Sequence, residues 1–129
     1  LEPAVLFELG RALAPLRGQG VLVFGSGFLT HNMRYAFQPG TPPWAREFDE
    51  WVAGALARLE VDALLGFRER APAAGLALPT WEHYAPVLVA LGAAVGGTEA
   101  DGIVAHGILR HAPLGRQDSA PSRSCRVGP

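Results

Sequence analysis

Apolar positions near the start of the chain recur at helical spacing. Leu6, Leu9, Leu13 and Leu16 fall on one face and Arg11 and Arg17 fall off it, which predicts an amphipathic helix ending near Arg17 and Gly18. The pattern then changes. Val21, Leu22, Val23 and Phe24 form an unbroken apolar run with glycine on both sides, as in a strand covered on both faces of a parallel sheet. Residues 33–43 are irregular, broken by Pro39-Gly40 and Pro42-Pro43. A second helix is predicted over 44–59, where Phe48, Trp51, Val52, Ala55, Leu56 and Leu59 make one stripe and Arg46, Glu47, Asp49 and Glu50 the other. A shorter apolar piece at 61–67 leads into an Ala/Gly/Pro-rich linker at 71–77. Helix, tight loop, buried strand and glycine loop in succession predict an α/β fold, part of a central, mostly parallel or mixed sheet flanked by helices.

Composition narrows the class. The 129 residues are 49% hydrophobic and 18% charged, enough for one domain with a core. The 11 basic and 12 acidic residues are interspersed and nearly cancel, so neither nucleic acid nor an anionic membrane surface is an expected partner. No apolar run reaches spanning length. The single cysteine, Cys125, allows no internal disulfide and fits a reducing, cytoplasmic setting. The opening Leu1-Glu2-Pro3 has neither an initiator methionine nor a basic signal start, and the chain is expected to begin inside a longer one.

Two turns carry the candidate chemistry. In the first, Gly25-Ser26-Gly27-Phe28-Leu29-Thr30-His31-Asn32 follows the expected strand, and open α/β sheets bind ligands at the carboxyl ends of their strands. Small residues there let backbone approach a bound molecule, and Asn32 can orient the neighbouring imidazole or hydrogen-bond a substrate oxygen. A Ser26–His31 nucleophile and base pair is disfavoured, because Phe24 stands where the Gly-x-Ser-x-Gly elbow has its first glycine. In the second, Pro79-Thr80-Trp81-Glu82-His83-Tyr84-Ala85-Pro86, a short turn over 80–84 is expected before a helix that starts at Pro86 and reaches Gly92. His83 then lies near the positive end of a helix dipole, where a ring nitrogen stays free for a metal. On the residues alone, His83 also reads as a group that caps or packs at a helix start, and the glycine-serine-glycine before His31 as an ordinary tight connection. Trp44, Phe48 and Trp51 read as core, Trp81 as core or pocket lining, and 68–70 as a solvated charge run.

Taken together these residues resemble the class III (LigB-type) extradiol aromatic ring-opening dioxygenases, within them the 4,5-DOPA dioxygenase branch. The resemblance runs from Leu9-Gly10-Arg11-Ala12-Leu13 through the Ser26-to-Asn32 turn and Trp44-Ala45-Arg46-Glu47-Phe48-Asp49 to Thr80, Glu82, His83, Tyr84, Pro86 and Ala90-Leu91-Gly92-Ala93. It implies a carboxyl-terminal half, residues 1–115, of a catalytic domain whose amino half supplies two further histidine ligands. It also implies a non-haem Fe(II) cofactor, with Zn(II) possible in isolated protein, and a small catechol and O2 as substrates. By the same resemblance His31 is the catalytic acid and base, His83 and His31 are the metal-site histidines, and Ser26, Asn32, Glu82 and Tyr84 are supporting groups around substrate or metal. His106 and His111 are poor substitutes for missing ligands. The tail at 116–129, short of apolar residues, departs from the family and is expected to be disordered. An incomplete ligand set leaves open a non-catalytic metal-site or interaction domain, and a sheet edge without a neighbour would favour self-association or pairing with a missing amino-terminal half.

Overall fold

The computed structural model describes residues 1–36 and 38–96, and beyond them the backbone of two three-residue strands. Helix α1 spans Pro3–Leu13 with proline in its first turn, where a missing N–H costs nothing, and tightens into a 3-10 helix over Ala14–Gln19. Gly20 closes it in the left-handed region at φ 79°, a conformation that costs glycine no steric penalty. Helix α2 spans Pro43–Ala57, close to the expected 44–59, and buries Phe48, Val52, Ala55 and Leu56. Three short helices follow, α3 (Val61–Leu65), α4 (Phe67–Arg70) and α5 (Ala74–Ala77). Helix α6 spans Ala85–Val95 with Pro86 in its first turn, as the proline argument predicts. No described helix is long and apolar enough to cross a membrane.

The expected α/β architecture is not what the described residues form. They are helical, and the only sheet among them is an antiparallel pair, β1 (Val104–His106) with β2 (Ser124–Arg126), in register Ala105 to Cys125. Val21, Leu22, Val23 and Phe24 belong to no ladder, and Leu22 and Phe24 are 83% and 77% exposed. The physical reason is that an apolar run becomes a buried strand only where neighbouring strands take up its N–H and C=O groups, and the described residues offer none. Of the expected disordered tail, 116–123 and 127–129 lie outside the described residues, while 124–126 pair as β2. The side chains of His106 and His111 also lie outside them.

Small residues decide how the helices meet. Helices α1 and α6 cross so closely that a Cβ on Gly10 would run into the Val89 carbonyl oxygen and approach the Ala93 nitrogen at 2.9 Å, while one on Gly92 would run into the Phe7 carbonyl oxygen. The buried face of α1 is therefore Leu6, Phe7 and Gly10, continued by Ala14, and not the Leu6/Leu9/Leu13/Leu16 stripe; Leu9 and Leu16 are exposed. Arg17 donates to the carbonyl oxygens of Ala93 and Ala94 at 3.1 and 3.0 Å, placing a cation on the otherwise unpartnered carbonyl end of α6. The core proper gathers Phe48, Val52, Leu64, Phe67, Tyr84, Leu88 and Leu91, with Trp44 and Trp51 packed on its margin. The Ala/Gly/Pro-rich stretch expected as a linker is folded in, since Ala71, Ala74 and Ala77 are buried there.

Candidate functional site

The two turns singled out in the sequence meet. Glycine makes this possible, for a Cβ on Gly25 would stand 2.6 Å from the Pro86 carbonyl oxygen, and one on Gly27 would collide with that of His83. The small residues expected to admit a ligand therefore admit the backbone of the other turn. Leu29 then packs on the core, and the chain is tied down just beyond it. The His31 N–H donates to the Ala77 carbonyl oxygen at 2.8 Å, and Asn32 Nδ2 donates to that of Leu76 at 2.7 Å. Both acceptors are end carbonyls of α5 that the helix itself leaves unpartnered. Asn32 Oδ1 accepts the Arg34 N–H at 3.1 Å, an Asx turn that fixes its own rotamer.

On the other side, Tyr84 N–H donates to the Trp81 carbonyl oxygen at 2.9 Å and Ala85 N–H to that of Glu82 at 3.2 Å, so the chain turns sharply through His83 before α6 begins. The imidazoles of His31 and His83 stack with centroids 3.8 Å apart and planes 28° apart. Phe28 lies against both, 5.7 Å from the His31 ring and 5.9 Å, edge on, from that of His83. Glu82 Oε1 is 3.8 Å from His83 Nε2 and accepts the Thr80 hydroxyl at 2.9 Å. A hydrogen bond from its own backbone N–H, and then the Thr80 hydroxyl, hold the Glu82 carboxyl below the ordinary carboxylate range.

The other expected site residues are placed differently. Ser26 is exposed on the glycine turn. Asn32 bonds α5 through its side-chain amide and faces the helix end. Tyr84 is fully buried between Phe48 and Phe67, its hydroxyl toward the Leu64 carbonyl oxygen at 3.5 Å, and burial pushes its phenol well above the usual value. Trp81 packs on Phe67 with the Arg68 guanidinium 5.3 Å above its ring. Phe28 and Thr80 belong to the cluster as well. The available signal for Phe28 was a large aromatic in a turn otherwise made of small and polar residues.

The donor chemistry, two imidazoles and a carboxylate, suits a first-row metal of borderline softness. The two imidazoles lie side by side, with the Glu82 carboxylate next to that of His83. Among the described residues no three His, Cys, Asp or Glu side chains are grouped to hold a metal ion.

The comparisons with known proteins agree with the resemblance. Residues 1–115 match the family model described as the catalytic LigB subunit of aromatic ring-opening dioxygenase. The chain is 40% identical over 97 residues to a 4,5-DOPA dioxygenase extradiol of Beta vulgaris, covering 74% of this chain and 36% of that protein. It is 39% identical over 113 residues to one of Portulaca grandiflora, covering 84% and 41%. A crystal structure of an uncharacterized Escherichia coli K12 protein superposes with a TM-score of 0.64 at 37% identity, covering 74% of this chain and 41% of that one. The chain thus spans less than half the length of the relatives it matches. With a family model over most of its length and relatives near 40% identity, the chain belongs to the LigB family of aromatic ring-opening dioxygenases.

Proposed function

We propose that this chain forms part of an extradiol dioxygenase that opens the ring of a small catechol such as DOPA with O2, with His83 as a metal ligand and His31 as the acid and base. The observation that supports this reading is the stacked pair, which brings the histidines of two distant turns side by side. The names of the relatives supply the reaction class and the substrate. Fe(II), when bound, would supply the electron transfer between catechol and O2, whereas redox-silent Zn(II) would only hold the same ligands in shape. His83 offers one imidazole nitrogen, with the Glu82 carboxylate close enough to orient the ring or to join as a ligand. His31, held by its own N–H on the end of α5, has its ring free to take a proton from a catechol hydroxyl and return it to the opening product.

The ligand set among the described residues is short of three, which favours as a second reading a binding domain without turnover. Oxygen uptake by the protein of which this chain forms part, loaded anaerobically with Fe(II) and given DOPA, separates the two. The enzyme reading expects uptake matched by ring-opened product, about 100-fold slower or worse in His31→Ala, and Fe(II) retention lost in His83→Ala. Full turnover in His31→Ala overturns the assignment of His31. Fe(II) held through His83 with no uptake supports the binding domain.

A further inference from the structure

Phe28 and Leu29 are adjacent and apolar, yet they go to different places. Leu29 packs on the core. Phe28 stays 41% exposed, is absent from the core cluster, and spends its contacts on the rings of His31 and His83. A lone exposed phenyl needs no explanation. One that touches both members of a histidine pair, from a turn that two glycines press against the neighbouring backbone, forms one side of that pair's surroundings.

We infer that Phe28 is a specificity-determining residue that forms the apolar wall of the His31–His83 site and selects ligands with a flat aromatic ring. The inference rests on the reading of that pair as a catechol-handling site. The chemistry follows from the three rings. The imidazoles present nitrogens to the hydroxyl edge of a ligand, while the phenyl presents carbon to the ring itself, and aromatic rings attract one another edge to face or offset beyond what their buried area alone provides. A saturated ring of the same size would gain the contact area without the quadrupole term, so the wall discriminates by flatness as well as by polarity.

The test is an absorbance titration of the chain, without added metal, by two chromophoric probes, 4-nitrocatechol and 4-nitrophenol, which share a ring and differ in the second hydroxyl. Phe28→Ala is expected to weaken both probes by a common factor of about three to ten, and Phe28→Leu, which keeps apolar area but no aromatic face, by about two. Thermal unfolding of the variants is expected to match the parent, because Phe28 lies outside the core; if Phe28→Ala alone unfolds early, Phe28→Leu decides. Unchanged affinity for both probes in both variants overturns the inference. His31→Ala tests the underlying reading separately, since it should erase the preference for 4-nitrocatechol. Loss of that preference with no effect at Phe28 leaves the catechol site and removes the wall. An effect at Phe28 with no preference between the probes keeps the wall and removes the catechol site. A parent chain that binds neither probe overturns both.

Discussion

The imidazole of His31 stacks on that of His83 at 3.8 Å because two glycines, Gly25 and Gly27, let one turn lie directly on the backbone of the other. Nothing in the rings themselves brings them together. The pair is a product of backbone proximity, so substitutions with no side chain in the site should disturb it.

Gly27→Ala puts a Cβ into the His83 carbonyl oxygen, and one turn must shift. Overpacking of this kind costs about 1–3 kcal/mol. The segment lies outside the core, so the larger effect is expected on the histidines. Imidazole NMR resonances of His31 and His83 should lose their mutual ring-current shifts in this variant, and its thermal midpoint should fall by about 4 °C or more for each kcal/mol of overpacking. Unchanged shifts would show that the turns can separate without parting the rings.

Gly10→Ala and Gly92→Ala act on the α1 and α6 crossing, where each new Cβ meets backbone that cannot step aside. Either should destabilise the fold by about 3 kcal/mol, at the upper end of overpacking penalties. Denaturant unfolding measures it, and the double variant should cost less than the two singles combined, because the first substitution already forces the helices apart.

Tyr84 has its hydroxyl in the core. Tyr84→Phe gives up one long hydrogen bond, to the Leu64 carbonyl oxygen at 3.5 Å, and should cost about 1 kcal/mol or less. Titration by 4-nitrocatechol should be unchanged in this variant; a clear loss of affinity would return the hydroxyl to the site.

Alkaline pH should find the same residue. The folded phenol is raised by burial, whereas in the unfolded chain it ionises near pH 10, so its contribution to stability is complete below that pH and is lost as pH rises above it. Stability measured between pH 9 and 11 should fall about as expected for one such group. The fall should shrink in Tyr84→Phe, and a slope unaffected by the substitution would assign it elsewhere.

The parts of the fold legible in the sequence were those set by local covalent chemistry or by large apolar stripes. Pro86 opens α6 because a proline can stand only where no amide hydrogen is needed, and Phe48, Val52 and Leu56 define α2 by spacing. Misreadings came where small residues carry the packing. Leu9 and Leu16 outweigh Gly10 and Ala14 on any hydrophobicity count, yet the glycine and alanine make the close contact with α6. Ala71, Ala74 and Ala77 looked like a linker for the same reason. The apolar run at 21–24 looked like a sheet strand because its composition reports burial without saying which neighbour provides it. At the site, the two histidine turns could be found from their residues. Asn32 bonding to α5 and the phenol of Tyr84 turned to Leu64 depend on tertiary partners that no local pattern encodes.

Between Val21, whose N–H reaches the Leu16 carbonyl oxygen, and His31, whose N–H reaches that of Ala77, the described backbone makes no hydrogen bond to another backbone group. The glycine turn is thus fastened at its two ends and by Leu29 on the core, and its stretch before Leu29 is free of backbone ties, the kind of segment that opens while the helices stay folded. Opening carries Phe28 away and leaves His31 and His83 behind. A ligand that touches both turns binds only the closed population, and its apparent affinity is the intrinsic one scaled by the closed fraction. Stiffening residues 22–30 would therefore tighten binding without adding a single contact to the ligand.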